Sequence, residues 1–268
     1  TAVSAHADFT VANPSAAVVT IRETLHNGTG FMSIESSDTT RLTTADESFA
    51  IVENIASIPG ELNQDNLYMV VKRTINGITR RYVEYFSLSD FGTDVTDAFF
   101  VDSGLTYSGS SASTISGLDH LEGQAVHLLE EGSTHPSKNV ASGAITTDRA
   151  TTKAHIGLGY SSTLKTLRME VPMATGTIQG KIKKIYNLTV RFYRTVGASV
   201  GTSSDNLDII PFRDSSDAMD TAVPLYTGDK TIEAQPKWDT EGSIIVEQSQ
   251  PLPMTIVSIY ASVDIQDK

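Results

Sequence analysis

The sequence of 268 residues contains no cysteine, and this absence removes several chemistries at once. Disulfides, thiolate nucleophiles, iron–sulfur clusters and cysteine-based zinc sites are all excluded. The chain also lacks any run of 18 apolar residues, so the sequence predicts no membrane span. Charged residues are only 19% and hydrophobic residues 39% of the chain, while serine, threonine, glycine and asparagine fill the difference. This balance is typical of a turn-rich β protein.

The sequence predicts no signal peptide at its start, because Thr1 is followed by neither a basic segment nor an apolar core. Since the first residue is not methionine, we expect a processed product or one piece of a longer protein. The length allows one large β domain, or two to three small ones, each with a buried core.

Strand-length runs bounded by turn residues dominate the first hundred residues. Within residues 16–37 the pattern predicts a strand, an Asn27-Gly28 turn and a second strand. From Ala50 three further runs read AIVENIASI, NLYMVVKRT and TRRYVEYFS, separated by PGELNQD and NG. This spacing predicts a three-stranded antiparallel meander, a unit common in β-propeller blades and sandwiches.

The tip of the second hairpin is Asn76-Gly77, and it is surrounded by four cations and no acid. A two-residue turn there places Arg73 opposite Arg80 and Lys72 opposite Arg81. Like charges directly opposite each other destabilise a sheet by up to about 1 kcal/mol per pair, so the hairpin alone is expected to supply only repulsion. The same count pairs Leu67 with Phe86, Met69 with Glu84 and Val71 with Tyr82.

Residues 108–160 are predicted to form a small barrel-like insert. A helix competes over Leu118–Leu129, where apolar residues have helical spacing, but Gly123 in its interior weakens it by about 1 kcal/mol. We therefore predict short strands at QAVHLL, GAITT and KAHIGL. The flanks YSGSSAST and GLGYSSTL are rich in glycine and serine and are expected to bring the ends of the insert together.

The C-terminal third is predicted to be a further β domain, from the runs LKTLRMEV, IKKIYNLTVRFYRTVG, SIIVEQSQ and MTIVSIYASVDI. Residues 201–239 read as a long polar excursion, which is expected to be functional or ordered by a partner. The predicted fold class is all-β, with antiparallel meander and sandwich domains, a small β-barrel-like insert and very little helix. The predicted units are an N-terminal β segment at 1–48, the meander at 49–107, the insert at 108–160 and the C-terminal β domain at 161–268.

No residue pattern points to catalysis, a metal or a cofactor. The insert contains four histidines, but they form no HExxH motif and no closely spaced ligand pair. GLGYSS lacks the Lys-Ser/Thr ending of a phosphate loop, and no GxSxG elbow occurs. The Glu130-Glu131 pair before Gly132 is interpreted as a solvated turn. We predict no enzyme, no cofactor and no metal site; a Ser/His/Asp site assembled in space is a weaker alternative.

Two segments concentrate positive charge in a chain whose net charge is −12. Segments 72–81 and 181–194 hold nine of the 20 basic residues and no acid. Three interpretations remain open: a contact with acids on a neighbouring copy, a surface facing nucleic-acid phosphate, or a solvated tip. The residues predicted to lie at a subunit interface or DNA channel are Lys72, Arg73, Arg80, Arg81, Lys181, Lys183, Lys184, Arg191 and Arg194.

Several sequence blocks resemble, in the family's order, the C-terminal half of the tail nozzle (tail tubular) proteins of short-tailed bacteriophages, the podoviruses. The resemblance extends from Ile55 to Ile259, whereas residues 1–48 match no part of the family and Gly159 replaces its usual proline. SGLDHLEG is the most specific piece. The blocks are RRYVEYF, DAFFVDSGLTYSG, SGLDHLEGQAVHLL, IGLGY, TLRMEV with QGKIKKIYNLTVRFYRT, and QPLPMTIVSI.

The resemblance implies a structural subunit of the virion tail that is assembled in the host cytoplasm and has no catalytic residue. It implies a homo-oligomeric ring, typically of six copies, around the channel through which DNA leaves without sequence recognition. It also implies contacts with other tail proteins such as the adaptor and fibres. The runner-up interpretation is a carbohydrate- or receptor-binding β module on a tail or cell surface, with Trp238 and Tyr226 as its aromatic candidates.

Overall fold

The protein is all-β, as the sequence predicts. Every strand pairing in the described residues is antiparallel. The helical segments among them are two 3₁₀ turns, Val95–Asp97 and Asp119–Leu121, and no helix there is long and apolar enough to cross a bilayer. The computed structural model describes residues 50–59, 65–86, 90–170, 177–219, 221–233 and 238–266, and the backbone of 20–24 and 31–35.

The N-terminal segment contains one hairpin. Strand β1 (Thr20–Thr24) pairs with β2 (Phe31–Glu35), and Thr20 lies opposite Glu35. The two predicted strands are therefore confirmed. The predicted Asn27-Gly28 turn lies outside the described residues.

The predicted meander is present as β3 (Ala50–Pro59), β4 (Asp65–Ile75) and β5 (Ile78–Tyr85), in that order across the sheet. Asn76 and Gly77 both have positive φ, 51° and 73°, which a two-residue type I′ turn requires. The predicted register is confirmed, including Arg73 opposite Arg80 and Lys72 opposite Arg81.

The insert is a four-stranded sheet in the order β6-β9-β7-β8, and no sheet in the described residues closes into a barrel. The barrel-like prediction is therefore wrong: the edge strands β6 and β8 do not pair with each other. Strands replace the competing helix, as predicted. The four strands are β6 (Asp102–Ser116), β7 (Ala125–Glu130), β8 (Ser133–Asn139) and β9 (Ala144–Leu158).

Strand lengths in the insert differ from the sequence prediction. GAITT and KAHIGL belong to one continuous strand of 15 residues, and the glycine- and serine-rich flank YSGSSAST lies within the equally long β6. Pairing with β9 overrides the weak strand propensity of this flank. Asp102 pairs with Leu158, so the ends of the sheet adjoin, although the strand starts before the predicted boundary at 108. The domain boundaries stay predictions.

The hairpin tip of the meander packs onto the insert. Ile75, the last residue of β4, belongs to the same core as Leu121, Leu128 and Ile156 of the insert. A second cluster joins the insert to the C-terminal domain, because Leu129 packs there with Val196 and Leu252.

The C-terminal domain is a β-sandwich. Phe192 on one sheet and Val246 on the other belong to a single core, which places the two sheets face to face. One sheet runs in the order β10-β16-β12-β13, with β10 (Ser162–Lys165), β16 (Ile245–Gln248), β12 (Ser199–Ser203) and β13 (Asn206–Ile209). The other surrounds β11 (Ile182–Thr195), which pairs with β14 (Tyr226–Glu233), β15 (Trp238–Asp239) and β17 (Ile256–Gln266).

The interpretation of residues 201–239 as one long excursion is wrong, because β13, β14 and β15 lie within it. In β14, half-buried and exposed residues alternate strictly, so the polar composition reflects one wet face rather than a loop.

The solvated-turn interpretation is wrong for Glu130, whereas Glu131 is exposed and lies in the turn before Gly132. Glu130 is only 3% exposed, and its burial raises its pKa. The charge of His135, whose ring lies 3.8 Å away, offsets this effect only in part. Glu131 Oε1 accepts hydrogen bonds from Thr152 and Lys153 amides and from the Thr151 and Thr152 hydroxyls. These bonds, above all those from Thr152, lower the pKa of Glu131 to about 2.

We expect the two glutamates to affect acid stability in opposite directions. The folded-state pKa of Glu131 lies below its ordinary value of 4.5, so its stabilisation is present above pH 4.5 and is lost as the pH falls towards 2. Glu131→Gln should cost about 1 kcal/mol at pH 7, after allowance for exposure, and should lose less stability than the parent between pH 7 and pH 3. Glu130→Gln should lose more stability than the parent over the same pH range. Protonation of Glu130, whose pKa is raised, stabilises the parent fold at low pH, and the variant lacks this contribution. Urea unfolding followed by circular dichroism measures both; equal pH dependence in the two variants would contradict this assignment.

Candidate assembly surface

The most buried cation of the basic hairpin is Arg73, which is 2% exposed. Its Nε and Nη2 donate to the two carboxylate oxygens of Glu84 at 2.8 Å, and Nη2 also donates to Asp102 Oδ1 at 2.9 Å. Burial acts to lower the pKa of Arg73, but the hydrogen bonds and charges of Glu84 and Asp102 outweigh it and raise this pKa. One guanidinium therefore joins β4, β5 and the start of β6.

On the opposite face of the meander, Arg81 binds Glu53 through two hydrogen bonds of 2.6 and 3.0 Å. Glu53 lies at the register shift between Val52 and Asn54 of β3. The hydrogen bond from Arg81 lowers the pKa of Glu53, and Lys72 adds to this effect through its charge.

The expectation that the hairpin supplies only repulsion within one chain is therefore wrong for Arg73 and Arg81. Acids from β3, β5 and β6 reach them, and these acids lie outside the sequence window in which the cations were counted. Arg80 differs, because it is exposed and none of the described acids lies within ion-pair distance of it.

The second basic segment is also compensated within the chain. Lys183, 1% exposed, donates from Nζ to the Thr240 carbonyl at 2.9 Å. Arg191 binds both carboxylate oxygens of Asp229 at 2.7 Å. The remaining cations have partners too: Lys184 lies over the Trp238 ring, Arg194 contacts Asp90 and the Phe91 ring, and Lys181 is not free.

The two basic segments lie in different sheets, the first in the meander and the second in the sandwich. The alternation in β11 shifts at Tyr186, where the pairing with β17 slips between Ile185 and Asn187. The clustering of cations in the sequence therefore does not predict which of them are exposed and unpaired in the folded chain. The role of the nine residues at a subunit interface or channel stays a prediction.

Sequence reasoning missed the outer face of the meander, which we define as Tyr68, Val70, Val83 and Tyr85 with the flanking Lys72 and Arg81. Val83 opposes Val70, and Tyr85 opposes Tyr68 with 5.6 Å between ring centroids. Val83 is 73% exposed. A signal was available, since β4 reads LYMVV without polar alternation, a pattern typical of strands that are covered on both faces.

The two edge strands of the meander are also unpaired on their outer sides in the described residues. In the described residues, β3 and β5 each pair only with β4, so their outer backbone groups have no strand partner. Apolar side chains continue along both edges, with Ile51 and Ile58 exposed on β3. Unpaired edges next to exposed apolar side chains favour association with another chain.

The four histidines of the insert do not converge on one site. His155 is buried between Thr106 Oγ1 and the Thr96 carbonyl, and burial lowers its pKa. His120 contacts the Ser103 carbonyl, and His135 lies near Glu130. Among the described residues, no group of three or more histidine and acidic side chains could hold a metal ion.

The aromatic pair proposed for carbohydrate binding does not form a common platform. Tyr226 lies opposite Thr195 and Trp238 opposite Lys184. These partners are eleven residues apart on β11, or about 35 Å at the rise of a β-strand. Tyr226 also packs against the sandwich core beside Phe212.

Comparison with known proteins adds no family assignment: no protein-family model matches the chain, and no curated protein matches it. The resemblance to tail nozzle proteins therefore depends on the sequence blocks alone.

We expect the two paired arginines of the hairpin to differ strongly in their contribution to stability. Arg73→Met should lower the free energy of unfolding by about 3 kcal/mol, because it removes a buried guanidinium and leaves the largely buried Glu84, and Asp102 beside it, without their cation. Arg81→Met should cost far less than Arg73→Met, since the pair of Arg81 with Glu53 is exposed to solvent. Urea unfolding at pH 7 measures both values.

The double variant Arg73→Met with Glu84→Gln serves as the control, because it removes the uncompensated charge. It should recover part of the loss caused by Arg73→Met. Equal costs for Arg73→Met and Arg81→Met would show that Arg73 does not hold the meander to the insert.

Proposed function

We propose that the protein is a structural subunit of the tail of a short-tailed bacteriophage, part of a nozzle ring around the DNA-exit channel. The resemblance of the sequence blocks supports this proposal, and the outer face of the meander is the observation that carries it. Its location would be the virion tail. Its partners would be further copies of the chain and other tail proteins.

The outer face supports assembly because a three-stranded sheet cannot bury both of its faces by itself. The inner face of the meander packs on the insert through Ile75 and Arg73, and Val71 on the same face is buried. The outer face has no cover in the described residues and combines exposed Val83 and Tyr85 with the cations Lys72 and Arg81. A neighbouring subunit that covers it would bury apolar area and meet a positive rim.

The acidic balance of the chain supports a homo-oligomeric contact. The net charge is −12, so acids on one copy are available for the positive rim of the next. A channel lined by an acidic protein would also let DNA pass without adhering, because like charges repel phosphate. In this proposal the protein positions and guides DNA and catalyses no reaction.

We expect Val83→Asp to abolish assembly, because it places a charge in the proposed subunit contact. The side chain is exposed in the single chain, so the fold should be unaffected. Val257→Asp is the matched control, since Val257 on β17 is also largely exposed but lies in the sandwich. Sedimentation velocity should show oligomers for the parent and Val257→Asp and single copies for Val83→Asp. A parent that stays a single copy, or identical behaviour of both variants, would contradict the proposal.

Arg80→Glu tests whether the subunit contact extends beyond the outer face around the hairpin tip, because Arg80 opposes Arg73 and lies on the other side of the sheet from Arg81. Arg80 is the informative position because none of the described acids pairs with it, whereas changing Arg81 would also break its bond to Glu53. Loss of oligomers in Arg80→Glu before any DNA is added assigns Arg80 to the subunit contact. Normal oligomers with impaired DNA delivery by assembled particles assign it to the channel instead.

A further inference from the structure

A groove lies between the meander and the insert and reaches Val83 and Tyr85 at the edge of the outer face. Its volume is about 1030 Å³, at the upper end of the range for ligand pockets. The lining includes Tyr82 and Glu84 from β5, Phe99 and Asp102 from the connection into β6, His120 and Tyr160. We propose that this groove binds a neutral saccharide, which goes beyond the structural role proposed above.

The floor of the groove carries oriented hydrogen-bond acceptors. Asp102 Oδ1 accepts from Arg73 and from the Ser103 amide, whereas Oδ2 has no hydrogen bond within the described residues. Glu84 is fixed by Arg73 and by the Ser103 hydroxyl at 3.3 Å. Because Arg73 holds both carboxylates, they keep their positions without a ligand. Preorganised acceptors of this kind suit the hydroxyl groups of a sugar.

The groove also offers a further acceptor and a donor. His120 Nε2 lies 2.9 Å from the Ser103 carbonyl, which can only accept, so Nε2 donates and, in the neutral ring, Nδ1 is left as an acceptor. Burial, aided by the charge of Asp102, raises the pKa of Tyr160. Its hydroxyl therefore stays protonated and can donate a hydrogen bond. Donors and acceptors together match a ligand whose hydroxyls act as both.

Aromatic rings complete the groove and present flat apolar surfaces. Tyr82 meets the His120 ring edge-on at 6.0 Å, and Phe99 meets the His155 ring in the same way at 5.4 Å. Phe86 and Tyr160 are exposed in the groove. The C–H faces of pyranose rings pack on such surfaces, while their hydroxyls remain free for polar contacts.

The charge of the groove argues against other ligand classes. Two carboxylates face one guanidinium, so the floor keeps an excess negative charge that disfavours phosphates and carboxylates. Arg73 engages both oxygens of Glu84 and one oxygen of Asp102, so a single carboxylate oxygen, Asp102 Oδ2, remains to accept a hydrogen bond from a ligand. A neutral polyhydroxylated ligand satisfies both conditions.

The proposal is tested with a glycan array of neutral glucose, galactose, mannose and N-acetylglucosamine oligosaccharides, followed by titration calorimetry with the best-bound sugar. Phe86→Ala and Tyr160→Phe should each weaken binding by about tenfold, because they remove a stacking surface and a donor. Tyr186→Ala on β11 is the matched control and should bind like the parent, since Tyr186 is similarly exposed but outside the groove.

The outcomes are decisive in either direction. Array binding that is lost in the two groove variants but kept in Tyr186→Ala supports the proposal. Absence of any array signal, equal binding by all variants, or preference for a basic peptide over every sugar overturns it. Sedimentation of the same samples reports assembly separately, so a failure here leaves the structural role unaffected.

Discussion

The architecture around the hairpin depends on the buried guanidinium of Arg73. A charge removed from water must be paired, and here Glu84 and Asp102 come from two different sheets to do so. The pairing is possible only when the tip of the meander rests on the insert, where Ile75 enters the hydrophobic core. The same contact turns Val83 and Tyr85 outward and creates the groove beside Asp102. One interaction thus determines which face of the meander is closed, which is open and where a cavity remains.

The sequence predicted local structure well where a single turn or a regular pattern determines it. Asn76-Gly77 set the hairpin register residue by residue, and the runs of branched and aromatic residues identified the meander and β11. It failed where pairing overrides propensity. β8 contains Pro136 and no branched residue apart from Thr134, and it forms because it lies at a sheet edge beside β7.

Charge was the least predictable property. The absence of acids near Lys72–Arg81 in the sequence suggested an unbalanced tip, yet Glu53, Glu84 and Asp102 reach it through the folded sheet. Neighbours in sequence can also diverge: Glu130 is buried and Glu131 accepts a cluster of hydrogen bonds, although both precede a glycine turn. Such partners are fixed by register and packing between sheets, which no local window contains. The groove was unpredictable for the same reason, since its lining comes from distant segments.

The outer face and the groove meet along β5, because Val83 and Tyr85 belong to the outer face and also line the groove. The most direct test of the central claim is cryo-electron microscopy of the purified protein. We expect rings in which each copy covers Val83 and Tyr85 of its neighbour, while Arg73 still binds Glu84 and Asp102 of its own chain. Single copies alone, or rings in which the outer face remains exposed to solvent, would contradict this account.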